Sequence, residues 1–383
     1  MKFAQSTYNK IWDSSEGRQI VTTILNDPDL IRANHTFWAT KFRIDPQVCQ
    51  TDANGEASFI SRMRQLESGV MMDMRAPLGD SIPEDKKGIS YYQGIIPEFI
   101  SKGFIEKATE REYKEQLFAQ FGDAALVAAY ATDVLQPRID SANQTLSHMS
   151  AQLLSTGKII YNQGEGTQGG LLKAEIPAEN FLKAGEMVWT NTTARLLDQI
   201  VKIVDDIKEK IGLDIQLQLE VTRDMFKNCF LKNEQVIEWV RYMNIINNQP
   251  LPERLVLTSD MAMAALAQFE GLPPIVIIEE KQKDANNGIV HGWKEGNAVL
   301  RPLGYAGYMR RTITSDERLF SKYGNTVNTY SFASAMSGLA TVRNFVVVNG
   351  NFKEWQSDLV LAAVPSLDEF LYHYIIDTTT ANG

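Results

Sequence analysis

Six apolar residues, Leu135, Ile139, Ala142, Leu146, Met149 and Leu153, recur at spacings of 4, 3, 4, 3 and 4. That spacing places all six on one face of an α-helix. With residues 123–132 ahead of the stripe, the pattern predicts a near-continuous helix of ~30 residues, ~45 Å long. Residues 70–104, before it, show no helical period, and their middle, residues 77–88, is rich in turn formers and charge. A protruding arm followed by a rod-like helix suits a protein whose surfaces are completed by neighbours. It suits a self-contained enzyme less well.

The 383 residues are 44% hydrophobic, enough to bury a sizeable core, and the length predicts two or three domains. Net charge is −9. Tight non-specific nucleic-acid binding needs a basic surface, so the folded body is not built for it. The wall of a container can still enclose nucleic acid, and an acidic inner face keeps the polymer from sticking. Cys49 and Cys229 are the two cysteines, far apart and without metal-ligand spacing, which fits a reducing compartment. The first residues lack an apolar run of signal-peptide length, and no apolar stretch is long enough for a membrane span.

Along the chain, residues 1–69 read as an arm with a short helix over 14–26 and an aromatic cluster of Phe37, Trp38 and Phe42. The cluster is either a local mini-core or a contact on a neighbour. Residues 70–104 read as a two-stranded excursion, running out over 70–74 and back over 89–100. A long isolated hairpin is marginal in water, so it must pack on something. Residues 106–121 read as a charged helix. After the long helix, Thr156-Gly157 ends the element and residues 158–162 start a strand. The glycine-rich stretch 164–170 is a hairpin loop, because it lacks the lysine-serine pair and strand-to-helix setting of a phosphate loop.

A second amphipathic helix carries the stripe Leu196, Ile200, Ile203, Ile207 and Ile211, with Thr/Asn caps at 189–193 and Gly212 closing it. Strict alternation at Ile215, Leu217, Leu219 and Val221 predicts a half-buried strand. Helices over 222–230, 234–243 and 260–267 (capped by Ser259) and strands over 254–257, 275–278 and 298–301 complete an α/β middle third. Residues 323–357 are turn-rich, with one apolar run at 345–348. Strands follow at 359–364 and 370–376.

Chemistry is sparse. His35, His148, His291 and His373 are scattered, with no HExxH and no His-x-His. No serine sits in a GxSxG elbow. Neither cysteine has a helix-start and histidine setting. Asp205-Asp206 and Glu279-Glu280 read as solvated charge, and Lys86-Lys87 as a charged hairpin tip. The sequence predicts no catalytic residue, no cofactor and no metal.

The order of elements carries a resemblance: arm, β-excursion, long helix ending in Leu-Leu-Ser-Thr-Gly-Lys-Ile (residues 153–159), amphipathic helix after Trp189, α/β region, the Arg301-Pro302-Leu303-Gly304-Tyr305 turn, and the late Leu-Val-Leu-Ala-Ala-Val-Pro-Ser strand (359–366). This resembles the major capsid proteins of tailed bacteriophages with the HK97-type fold, nearest to the lambda-type major head protein family. The resemblance covers roughly residues 20–376.

It implies an α+β fold with residues 1–69 as an N-arm, 70–104 as an E-loop draped over the adjacent subunit, 105–189 as a peripheral domain with the spine helix, 190–340 as an axial domain, and 341–383 as the return to the peripheral domain. It implies subunit contacts at the E-loop tip (Gly79, Asp80, Glu84, Lys86, Lys87) and at an axial loop (Asp284, Asn286, Asn287, Gly288). The function implied is self-assembly into pentamers and hexamers of an icosahedral head enclosing double-stranded DNA. Further partners would be a separate scaffolding protein, a portal and possible decoration proteins, with no membrane partner. The chain would reside in the virion after assembly in the host cytoplasm. No long charged N-terminal helix is present to act as a built-in scaffold, and no lysine/asparagine/acid arrangement points to covalent crosslinking. Two alternatives stand beside it: an encapsulin-like compartment shell, and a cytoplasmic α/β enzyme or binding protein.

Overall fold

The structure is a computed structural model that describes residues 15–27, 36–52, 56–64, 89–105, 108–121, 123–161, 170–212, 214–246, 257–283, 288–323, 331–349 and 352–381. Its helices of eight or more residues are α1 (Ser15–Leu25), α2 (Ala108–Phe121), α3 (Asp123–Tyr130), α4 (Gln136–Thr156), α5 (Leu196–Ile211), α6 (Glu234–Ile246), α7 (Ser259–Leu266) and α8 (Ser315–Tyr323).

The predicted rod is present. α3 and α4 are joined by a π-helical turn, Ala131–Leu135, so the helical path runs from 123 to 156. All six stripe residues are buried. Pro137, just inside α4, explains the π turn: proline removes an N–H and crowds the carbonyl four residues back, and a widened turn absorbs both. Gly157 stops the helix in the left-handed region at φ 69°, its N–H bonded to Leu153 O, as the sequence indicated.

Three sheets surround the rod. The strands, in chain order, are β1 (Phe42–Cys49), β2 (Ala57–Arg64), β3 (Ile89–Ile96), β4 (Phe99–Ile100), β5 (Phe104–Ile105), β6 (Lys158–Tyr161), β7 (Gly170–Lys173), β8 (Phe181–Lys183), β9 (Leu217–Thr222), β10 (Ile275–Ile278), β11 (Gln282–Lys283), β12 (Ile289–Val290), β13 (Asn297–Pro302), β14 (Gly307–Thr312), β15 (Ser331–Ala335), β16 (Ala340–Asn349), β17 (Phe352–Leu361), β18 (Ala363–Leu367) and β19 (Tyr374–Asp377). One sheet is antiparallel, β15-β16-β17-β4, with β5 also on β17. A second is β1-β14-β18, and a third is the mixed sheet β10-β9-β13-β19-β8. β2–β3, β6–β7 and β11–β12 are two-stranded hairpins.

Two hydrophobic cores result. One gathers the long helix, Trp38, Phe42, the hairpin residues Phe59 and Tyr92, and the β15–β18 strands. The other gathers α5, α6, α7, β9 and β13, with Tyr372, Tyr374 and Ile376 returning from the end of the chain. A buried ion cluster joins them. Glu220 on β9 takes Lys41 Nζ at 2.7 Å and Arg301 Nε and Nη2 at 3.0 and 2.7 Å, all on Oε1. Gln218 Nε2 adds a fourth donor at 2.8 Å.

Several sequence expectations change. Trp38 is buried and donates its Nε1–H to Asn143 on the long helix, so the aromatic cluster is core of this chain. β9 is buried on both faces, because its polar positions Gln218 and Glu220 belong to the ion cluster. The 323–357 region, read as turn-rich, holds the ten-residue strand β16 and the first six residues of the ten-residue β17. Buried Thr341, Asn344, Ser357 and Asp358 interrupt the apolar pattern there, and Arg343 pairs with Asp358 directly across the two strands. The chain changes sheets at Ala362, so Pro365 lies inside edge strand β18, where a missing N–H is tolerated.

α5 starts after Arg195 without a side-chain cap, and the predicted Asn191 instead accepts from Thr193 N. α7 is capped by Thr258, one residue before the expected Ser259. Phe370–Tyr372 is a 3-10 turn preceding β19. The strand expected at 254–257 has residues 254–256 outside the described set.

Candidate assembly surfaces

The β2–β3 hairpin is built from two alternations in register. Phe59 faces Gly94, Ser61 faces Tyr92 and Ala57 faces Ile96 on the inner side. Ser58 faces Ile95, Ile60 faces Gln93 and Arg62 faces Tyr91 on the outer side. The inner side is buried. Gly94 is required there: a Cβ would come within 2.5 Å of the Phe59 ring and of Leu172. Tyr92 stacks edge-on against Phe59 and Phe370, at 6.0 and 5.3 Å between ring centres. Its hydroxyl donates to Leu367 O and accepts from Leu367 N, at 3.0 and 2.7 Å.

A guanidinium locks the root of the hairpin to the β1-β14-β18 sheet. Arg310 on β14 reaches Asp45 at 2.6 Å, Asp368 at 3.0 Å and Ser366 Oγ at 2.8 Å, and lies over the Phe59 and Tyr308 rings. Ser61 Oγ lies 2.9 Å from Leu367 O and 3.0 Å from Asp368 Oδ1. Burial opposes the Arg310 charge, but the two carboxylates outweigh it and raise its pKa further. The described part of the hairpin is therefore fixed against the body by its inner side. Its outer side is left bare: Tyr91 is 65% exposed, Ile95 49% and Ile60 46%. Exposed apolar side chains on a rigidly anchored ribbon form a surface that gains by being covered.

The sequence placed the outgoing strand at 70–74. The partner of β3 is β2, at Ala57–Arg64, a segment read as arm. Residues 65–88 lie outside the described set, and with them the candidate tip residues Gly79, Asp80, Glu84, Lys86 and Lys87. Asp284, Asn286 and Asn287 also lie outside it. Gly288 is exposed and leads into β12. The β11–β12 hairpin that carries it rests on the long helix, where Lys283 N donates to Gln144 Oε1 at 2.8 Å. Sequence reasoning missed Ile60, Tyr91 and Ile95 as a surface. The signal was present as the alternation of 57–64, which matches the pleat of 89–96.

Among the described residues, no group of three or more His, Cys, Asp or Glu is placed to hold a metal ion. Burial pushes the Cys229 thiol up to about 11 and raises Cys49, the reverse of what a nucleophile needs. His373 is buried, with Nε2 donating to Leu154 O at 2.7 Å. No helix among the described residues is long and apolar enough to cross a membrane.

No protein-family model matches the sequence, and no curated protein does. Solved structures do match in fold. A proposed capsid protein of a prophage of E. coli CFT073 superposes with a TM-score of 0.50, over 94% of this chain and 98% of that one, at 9% identity. The cyanophage A-1(L) capsid chain aligns over 89% and 92% of the two chains, at 12% identity and a TM-score of 0.42. The capsid chain of the myovirus XM1 aligns over 90% and 91%, at 12% identity and 0.41. The first of these carries the comparison, and at such low identity it speaks to fold. The chain has the α+β HK97-type capsid fold, with an anchored β-hairpin, a long helix and a second core built on a mixed sheet.

Proposed function

We propose that this chain is a non-catalytic shell subunit, the major head protein of a tailed bacteriophage, which self-assembles into pentamers and hexamers of a closed icosahedral head around double-stranded DNA. The observation that carries the reading is the anchored β2–β3 hairpin with its exposed Ile60, Tyr91 and Ile95. On this fold such a ribbon is supported by the adjacent subunit, and closure repeats the contact around the shell. Each contact can be weak, because many per subunit act together.

In this reading the core of α5, α6, α7 and β9 belongs to the axial domain, and the long helix to the peripheral domain. The tip residues Gly79, Asp80, Glu84, Lys86 and Lys87 meet a neighbour, as does the Asp284–Gly288 loop with Asn286 and Asn287. Residence in the virion, assembly in the host cytoplasm, and a separate scaffolding protein, portal and decoration protein belong to the same proposal. The acidic balance of −9 suits a wall that encloses DNA without gripping it.

The double variant Ile60→Lys, Ile95→Lys tests it. Both side chains are half-exposed and point away from the core, so stability should change by less than about 0.5 kcal/mol. Sedimentation should show folded subunits that no longer assemble. Normal shells from this variant would remove the hairpin face from the contact.

A further inference from the structure

Among the described residues, two that carry side chains stand in the left-handed backbone region, and they are neighbours. Met336 has φ 53° and Ser337 φ 55°, and Gly338 follows at φ 85°. The three lie in the turn between β15 and β16, where Ala335 pairs with Ala340. A left-handed φ is unfavourable for any residue with a Cβ, and two in succession persist only where the surroundings hold them. Met336 is fully buried, so the conformation is built into the core and not left at a surface tip.

Two side chains from distant parts of the sequence hold the turn. At the end of α1, Asn26 Oδ1 accepts from Ser337 N at 3.0 Å. Its Nδ2 donates to Ser334 O at 3.3 Å and to Thr22 O, inside α1 itself, at 2.9 Å. Ser337 N is a donor and the other two partners are carbonyls, which fixes the orientation of the amide. One carboxamide thus ties the last turn of α1 to both sides of the β15–β16 turn. From β14, Arg311 donates Nη1 to Ser337 O, and donates Nε and Nη2 to Asp45 O and Pro46 O of β1 at 3.1 and 3.3 Å. Two sheets meet at this turn. Leu339 O accepts from Ala362 N, where the chain passes from β17 to β18, and Ala362 O accepts from Thr312 N of β14. α1 packs on β15 with Val21 and Leu25 fully buried.

We infer that α1 is a strap that controls this turn. Docked, its Asn26 holds Met336 and Ser337 left-handed. Undocked, the turn relaxes to right-handed backbone and loosens the junction of the two sheets. The two states differ by named interactions, as a switch requires: the bonds of Asn26 favour the left-handed turn, and the Cβ atoms of Met336 and Ser337 favour the relaxed one. Whatever draws α1 off its bed is thereby felt at the sheet junction. The inference goes beyond the shell reading and does not depend on it, because every contact in it lies within one chain.

Hydrogen exchange on the full-length chain tests it, read at Leu339 N and Ala362 N. The first donates to Met336 O and the second to Leu339 O, so both report the turn and neither touches Asn26. Asn26→Ala should speed their exchange at least ~10-fold and leave the centre of α4 unchanged. Adding Ser337→Gly should bring the exchange back towards wild type, because glycine takes a positive φ freely. A general loosening of the region would instead be worsened by the glycine. Coupling between α1 and the turn is reciprocal, so disturbing the turn should free the helix. Gly338→Ala, whose Cβ would come within 2.2 Å of Arg311 Nη1, should therefore speed exchange in α1. Unchanged exchange at Leu339 and Ala362 in Asn26→Ala, no recovery on adding Ser337→Gly, or α1 amides unmoved by Gly338→Ala would each overturn the inference. If Gly338→Ala fails to fold by circular dichroism, the two Asn26 variants decide alone.

Discussion

Glu220 is fully buried, and two cations and an amide converge on a single one of its oxygens. Burial by itself would raise its pKa. Arg301 first, then Lys41, outweigh burial and hold the carboxyl below its ordinary value. A depressed carboxyl contributes stability that is present above its unfolded value near 4.5 and is lost as pH falls through the folded value. Glu220→Ala leaves Lys41 and Arg301 buried without a counter-charge, which should cost about 3–5 kcal/mol in chemical denaturation at pH 7. A cost under ~1 kcal/mol would mean that the cluster does not tie the two cores.

His373 gives a second acid response. Burial pushes it down to about 4 from 6.5, so the unfolded chain binds more protons between those values. Stability should therefore fall as pH drops from 6.5 towards 4, by about 3 kcal/mol from this group. His373→Gln keeps a donor for Leu154 O and should flatten that slope in urea midpoints measured across the range. An unchanged slope would assign it elsewhere.

Among the elements, the long helix was the most legible. Its stripe needs only a local period, and Leu146 at its centre is fully buried. Leu146→Asp puts a charge into the larger core and should cost more than about 4 kcal/mol, enough to unfold the subunit. A cooperative melt near the wild-type temperature would mean that the stripe is not core. The helix of 196–211 was legible for the same reason, and the strand Ile275–Ile278 as an apolar run after Pro273-Pro274. β16 and β17 were not, because Arg343 and Asp358 satisfy each other across the ladder and remove the alternation a strand reading needs. β9 failed in the opposite way. Its alternation was real, but Lys41 and Arg301, 179 and 81 residues distant from Glu220, let its polar face be buried as well. A linear pattern cannot show charges that arrive from other strands.

For the whole molecule, element order was legible and partner identity was not. The sequence places a β-excursion at 70–104 before a long helix; of it, the structure describes the returning strand Ile89–Ile96, paired with Ala57–Arg64. The partner of the returning strand was missed, because 57–64 was read as arm although Ala57, Phe59 and Ser61 alternate as a strand, and the outgoing strand expected at 70–74 lies outside the described residues. The candidate contact residues at the hairpin tip and in the Asp284–Gly288 loop came from fold order alone. What the structure adds is a rigid root at Arg310 and an uncovered outer face.

Negative-stain electron microscopy of the expressed protein, alone and with the products of neighbouring open reading frames, tests this most directly. The account predicts closed polyhedral shells, or rings of five and six subunits. A uniform monomer or dimer that stays unassembled as salt and concentration rise would contradict it.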